Sequence, residues 1–211
     1  HSAPALSHIG MVTSALWVDI NQDTWEDLVL VGEFMPLTIF YNHQGRLFQQ
    51  PTQIPHTSGW WNSLKVADID GDGDLDFIAG NLGLNSRYKA TEKEPLTIHG
   101  KDFDKNGLID PIISHFVQGK EYIFHNRDEL MIQIPAMKSR FDNFEKYARA
   151  SFQESFLKSE LGDALTLKVE CMESSFFENI GKGQFKRHSM PIEAQFAPIY
   201  GIEVEDLNND G

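Results

Sequence analysis

Apolar residues in this chain come in short runs, and several of the polar stretches between them place an oxygen-bearing side chain at every second position. Leu16-Trp17-Val18 leads into Asp19–Asp27, and Leu28-Val29-Leu30-Val31 leads out. Val66-Ala67 precedes Asp68–Asp76 and Phe77-Ile78-Ala79 follows it, while Asp102–Asp110 is followed by Ile112-Ile113. Runs this short, rich in β-branched and aromatic residues, predict strands joined by polar loops. The stretch from Arg127 to Leu161 reads differently. Phe141, Phe144, Tyr147 and Ala148 recur at helical spacing, and Pro135 marks a first-turn position. Ser151-Phe152-Gln153-Glu154 fits a capping box for a second helix, with Phe152, Phe156 and Leu157 as its apolar stripe. This helical hairpin packs on a rim or serves as a lid. Leu165–Val169 and Ser175-Phe176-Phe177 then return to a strand pattern.

Composition adds exclusions. The 211 residues, 41% of them apolar, can fill the core of one large or two small domains. A net charge of −13 with no basic cluster disfavours nucleic acid as a partner. No apolar run of about 18 residues is present, so no membrane insertion is expected. Cys171 is the only cysteine; it forms no intrachain disulfide and reads as an inert, half-buried thiol. No nucleophile elbow, phosphate loop or His-Glu-x-x-His occurs, so an enzyme is the less favoured reading. His115 and His125 flank a hairpin around Gly119; gathered in one pocket with Tyr122 and Arg127 they would make a lyase-like site, and otherwise they are rim or core residues. Trp60-Trp61 reads as core packing or as a platform for a sugar ring.

The negative charge is concentrated. Oxygen side chains stand at positions 1, 3, 5 and 9 of three segments: Asp19, Asn21, Asp23 and Asp27; Asp68, Asp70, Asp72 and Asp76; Asp102, Asp104, Asn106 and Asp110. A fourth copy, Asp206, Asn208 and Asp210, stops at position 6, so the chain is expected to continue in a parent protein. These four segments hold 14 of the 31 acidic residues. They start 49, 34 and 104 positions apart, an irregular period that places an insertion in the last interval. Ca²⁺ takes about 6–8 oxygen ligands at about 2.3–2.6 Å, and alternating carboxylates reach one point when the chain curls around it. Gly73 and Gly107 at position 6 permit the sharp turn; the first segment has Thr24 there. An EF-hand would close with Glu at position 12, where Leu30, Ala79 and Ile113 stand instead. Two to three structural Ca²⁺ sites are expected, tightest in the second segment, which has four carboxylates, and weakest in the first.

These Asp-x-Asp/Asn-x-Asp/Asn loops resemble the FG-GAP/VCBS repeat family, the calcium-loop propellers also seen in integrin α chains. Asn179-x-Gly181-x-Gly183-x-Phe185 is similar to the outer-strand turn of that family. Ala79-Gly80-Asn81-Leu82-Gly83, Arg127-Asp128-Glu129-Leu130 and Pro198-Ile199-Tyr200-Gly201 resemble large secreted bacterial members. The resemblance implies a mainly β fold, a β-propeller fragment of about four blades at about 50 residues each, with a helical insertion. Residues 1–126 would carry blades and three calcium loops, 127–161 the insertion, and 162–211 the return to the propeller. It further implies an exported protein (extracellular, cell-surface or periplasmic) in which the rest of the parent chain completes the propeller. The role it implies is recognition of a protein or glycan ligand, adhesion or surface scaffolding. The alternative is a fragment of a carbohydrate-active, polysaccharide lyase-like propeller enzyme.

Overall fold

Alternation of apolar and polar residues makes strands, but which strands pair is decided by the cores they share. The computed structural model describes residues 4–49, 54–181 and 183–206. The chain divides into two compact units, 1–87 with 171–211, and 88–170.

In the first unit, β1 (Met11–Val18), β2 (Asp27–Met35), β3 (Thr38–His43) and β4 (Arg46–Gln49) form an antiparallel meander, with β5 (Gly59–Trp60) also paired to β2. β2 is apolar on both faces and buries both. Val29 and Val31 enter one core, while Leu28 and Leu30 join Met35 and Phe40 in another. β6 (Ser63–Ala67) and β7 (Asp76–Gly80) then open a second sheet, which the chain leaves half built.

The second unit interrupts it. β8 (Leu96–Lys101), β9 (Asp110–Val117) and β10 (Lys120–Ile123) are followed by five short helices: α1 (Arg127–Gln133), α2 (Met137–Arg140), α3 (Phe144–Arg149), α4 (Phe152–Ser155) and α5 (Lys158–Leu161). β11 (Leu165–Val169) returns to pair with β8, giving the order β10-β9-β8-β11. That is the Greek-key order, with the helices as the long return connection. Back in the first unit, β12 (Ser175–Asn179) and β13 (Phe185–Ser189) complete the second sheet as β6-β7-β12-β13. Phe177 pairs with Phe77 across the gap.

The fold is therefore mainly β, with three antiparallel sheets among the described residues where about four blades are expected. The insertion explains the irregular period. Asp68 and Asp206 stand 138 positions apart, and the unit 88–170 accounts for 83 of them. The remaining 55 come close to the 49 between Asp19 and Asp68. The helices lie inside this larger inserted unit, which also holds the third acidic segment.

Trp61 sits fully buried at the centre of the first core, against Phe177 at 5.9 Å, and its indole N–H donates to Thr57 O at 2.9 Å. Trp60 packs on Phe34 at 5.0 Å. The Trp60-Trp61 pair thus serves packing. Asn81 is also buried: its Nδ2 donates to Cys171 O at 2.9 Å and its Oδ1 accepts from Trp60 N and Leu82 N. A side chain at neighbouring Gly80 would lie 2.4 Å from Ile199 O, so this corner demands glycine. Cys171 is buried rather than half-buried; burial pushes its thiol pKa up against the opposing pull of the Arg187 guanidinium.

In the second unit, Ile112 and Ile123 of the sheet meet Leu130, Met131, Phe141, Phe152 and Phe156 from the helical segment. Asn126 caps α1 in a capping box with Glu129, and Ser151 caps α4 with Glu154 as its spacing predicts. The expected first helix is in fact broken. Phe141 is the C-cap of α2, and Asn143 caps a new helix, α3, which leaves Phe144 62% exposed. Pro135 stands one residue before the N-cap of α2. Leu157 leaves the apolar stripe because it is the N-cap of α5, also 62% exposed. Among the described residues, no helix is long and apolar enough to cross a membrane.

His99 of β8 is buried beneath α4, stacked on Phe152 at 4.5 Å. Its Nδ1 lies 3.3 Å from Thr166 Oγ1, and its Nε2 has no hydrogen-bond partner among the described residues. Burial lowers its pKa below 6.5, with Glu121 opposing and Lys168 reinforcing the shift. The unfolded chain then binds this proton more readily than the folded one. The stability His99 contributes when neutral is lost as pH falls through 6.5 toward the folded value. Urea midpoints at about pH 7.5 and about pH 5.5 should differ less in a His99→Phe variant than in the parent.

Candidate metal centres

Each complete acidic segment links two adjacent antiparallel strands: β1 to β2, β6 to β7, and β8 to β9. The three curl in the same way. Position 1 bonds the backbone of the turn with both oxygens. Asp19 accepts from Asp23 N and Thr24 N, Asp68 from Gly71 N and Gly73 N, and Asp102 from Asn106 N and Gly107 N, all at 2.8–3.0 Å. Positions 3 and 5 each accept from the N–H two residues on, as with Asp70 from Asp72 N and Asp72 from Asp74 N. These bonds hold the side-chain oxygens inside the curl.

Two backbone positions in every segment are left-handed. Position 4 has φ of 58° at Gln22, 76° at Gly71 and 64° at Lys105; position 6 has 76° at Thr24, 90° at Gly73 and 91° at Gly107. A β-branched residue is strained there. No atom lies within 4 Å of a Cβ built on Gly73 or Gly107, so the demand is on the backbone alone. Thr24→Gly should therefore stabilise the protein by about 0.5–1 kcal/mol, the relief of strain exceeding the extra chain entropy of glycine. A urea denaturation midpoint that fails to rise would contradict this.

Position 9 is the most deeply set. Asp27, Asp76 and Asp110 are 0%, 1% and 4% exposed. One oxygen of each accepts from the backbone N–H of its own position 2: Ile20 at 3.2 Å, Ile69 at 3.0 Å and Phe103 at 2.9 Å. In the first two segments the other oxygen accepts from an asparagine N–H on the third strand, Asn42 at 2.7 Å and Asn179 at 2.8 Å. These asparagines donate back through Nδ2 to Glu26 O and Leu75 O. Asn42 has no place in the reading of the acidic spacing. Its trace is the Asn42-x-x-Gly45 turn, in which Gly45 N donates to Asn42 Oδ1 as Gly181 N does to Asn179 Oδ1.

The carboxylates crowd. Asp68, Asp70 and Asp76 each bring one oxygen to within 4.8 Å of the others, and so do Asp102, Asp104 and Asp110. A cation with oxygens at about 2.3–2.6 Å on all sides spans a shell of that width. Asp19, Asp23 and Asp27 form no such group among the described residues. Burial raises the pKa of Asp27, partly countered by hydrogen bonds from Asn42 N and Ile20 N. Loss of hydration and the charges of Asp72, Asp76 and Asp68 raise that of Asp70, partly countered by the Asp72 N–H. The donor set is all hard oxygen, which suits Ca²⁺. Of the fourth segment, Asp206 is exposed, while Asn208 and Asp210 lie outside the described residues.

The histidine grouping separates. His115 and Tyr122 line one cleft of about 390 Å³ with the half-buried Tyr147, whose hydroxyl donates to His125 O at 2.6 Å and whose pKa desolvation raises to about 12. His125 and Arg127 are not part of that lining. His125 Nε2 accepts from Ile113 N, and Arg127 Nε donates to Phe141 O.

A family model for FG-GAP-like repeats matches residues 19–79, which span the first two acidic segments and most of the strands around them. No curated protein and no solved structure matches the chain.

Proposed function

We propose that this chain is a calcium-stabilised, propeller-like segment of a larger exported protein, serving extracellular recognition or surface scaffolding. The observation that carries the reading is the convergence of three buried or loop-bound carboxylates in each of two segments that share one backbone conformation. The FG-GAP-like match over residues 19–79 supports the repeat architecture. So does the strand order of the first two sheets, each built on a meander of four strands (with β5 added beside β2 in the first) and each with its acidic segment between strands one and two, as in a propeller blade. Asp72 is not in the converged group of Asp68, Asp70 and Asp76, but as a fourth carboxylate of that segment it would make the second site the tightest; the first, lacking a converged triad and strained at Thr24, would be the weakest.

Bound Ca²⁺ would be held by Asp68, Asp70, Asp72 and Asp76, and by Asp102, Asp104, Asn106 and Asp110. It would neutralise the crowded carboxylates and couple binding to folding. Thermal melts of EDTA-stripped protein should rise on adding Ca²⁺ and rise far less with Mg²⁺, which demands tighter octahedral geometry. Equal melting temperatures in Ca²⁺ and EDTA would remove the reading.

A further inference from the structure

Beside the third acidic segment, the second unit holds a cleft of about 390 Å³ between that segment and the helices. Its floor is apolar: Phe103, Ile134, Met137 and Phe156, the two phenylalanine rings 5.1 Å apart. Its rim carries Lys101, Lys105 and Arg140, with Asp102 and Glu160 as the acids. Those two acids are engaged elsewhere. Asp102 turns both oxygens onto Asn106 N and Gly107 N of its own turn. Glu160 takes two N–H bonds from Arg140, at 2.9 and 3.1 Å, and one from Leu157 N. Arg140 also donates to Ser155 O. Lys101 bonds Asp163 and Glu160 O, two partners among the described residues for an ammonium with three N–H donors. Lys105, at the exposed position 4, makes no ion pair among the described residues.

We propose that this cleft binds a small organic carboxylate, its charge at Lys105 and Lys101 and its apolar side against Phe103 and Phe156. The volume lies in the range of small-molecule sites, and an apolar floor with a few polar anchors is their usual chemistry. The inference rests on the cation reading. Unloaded, the third segment sets three carboxylates against Lys105 and repels an anion; a divalent cation cancels that excess and leaves the ammonium groups to attract one. Binding should therefore require Ca²⁺.

The test is calorimetry on the full chain, first with Ca²⁺ alone and then, in Ca²⁺ and in EDTA, with phenylacetate and with glucuronate. The neutral controls are 2-phenylethanol and glucose. The expected result is saturable binding of at least one acid in Ca²⁺, none in EDTA, and none of either control. An aromatic acid and a sugar acid are told apart by which of the two binds. Lys105→Glu at the rim and Ser159→Glu at the exposed mouth should each weaken the acid about tenfold or more. Ser159→Glu, which lies outside the cation loop, should leave Ca²⁺ uptake and the melting temperature unchanged. Ca²⁺ uptake with no binding of either acid, or binding that both variants leave unchanged, overturns the cleft proposal and spares the cation reading. Absence of Ca²⁺ uptake overturns both.

Discussion

Replacing Asp76 by Ala should cost the unit formed by 1–87 and 171–211 about 2–4 kcal/mol, even in EDTA. The side chain accepts from Ile69 N and from the buried Asn179 N, and a donor left without an acceptor costs about 1–3 kcal/mol. Alanine offers neither acceptor, and at 1% exposure water cannot replace them without opening the sheet. Asp76→Asn keeps one acceptor oxygen, so it should fall between wild type and Asp76→Ala. Glu26, exposed and outside the ligand positions, is the control; Glu26→Ala should stay within about 0.5 kcal/mol. Working in EDTA separates this loss from any loss of bound metal. Urea denaturation in which Asp76→Ala matches Glu26→Ala would show that the acid at position 9 does not clasp the sheet.

The second large effect concerns the cation. Asp70→Asn removes one of the four carboxylates of the second segment yet can still accept from Asp72 N through its amide oxygen. Its fold should survive and its Ca²⁺ affinity should drop about tenfold or more, because affinity follows ligand charge. At free Ca²⁺ about a thousandfold above the dissociation constant, a filled site stabilises the folded state by about 4 kcal/mol. Wild type should gain that increment on saturation, and Asp70→Asn should gain less at the same Ca²⁺ concentration. A variant that melts with the same Ca²⁺ dependence as wild type would place the ion elsewhere.

Local chemistry made part of this legible. The flanks Leu28–Val31 and Phe77–Ala79 lie in strands because period and residue type suffice for that, and Ser151 with Glu154 caps a helix because the box is a four-residue event. Pairing partners are not local. Nothing in Ser175-Phe176-Phe177 says that it joins a strand at Phe77, since both are apolar runs that any sheet would accept. The intervals of 49, 34 and 104 and the helical spacing over 127–161 were traces of an insertion, but its extent over 88–170 becomes visible only once the interrupted second sheet is known. The helical stretch read as continuous through Phe141, Phe144 and Tyr147, but Asn143 competes for the backbone there and starts a new helix. At the acidic segments, spacing showed which oxygens could converge. It did not show that position 9 also holds Asn42 or Asn179, because that bond is made across the sheet.

If the second and third segments are cation cages, anomalous X-ray diffraction from crystals grown with Ca²⁺ will show the ions inside them. An anomalous peak enclosed by Asp68, Asp70 and Asp76, and another by Asp102, Asp104 and Asp110, with oxygens at about 2.3–2.6 Å, is the expected result. Well-ordered segments without a peak at either position, in crystals soaked to saturation, would contradict it.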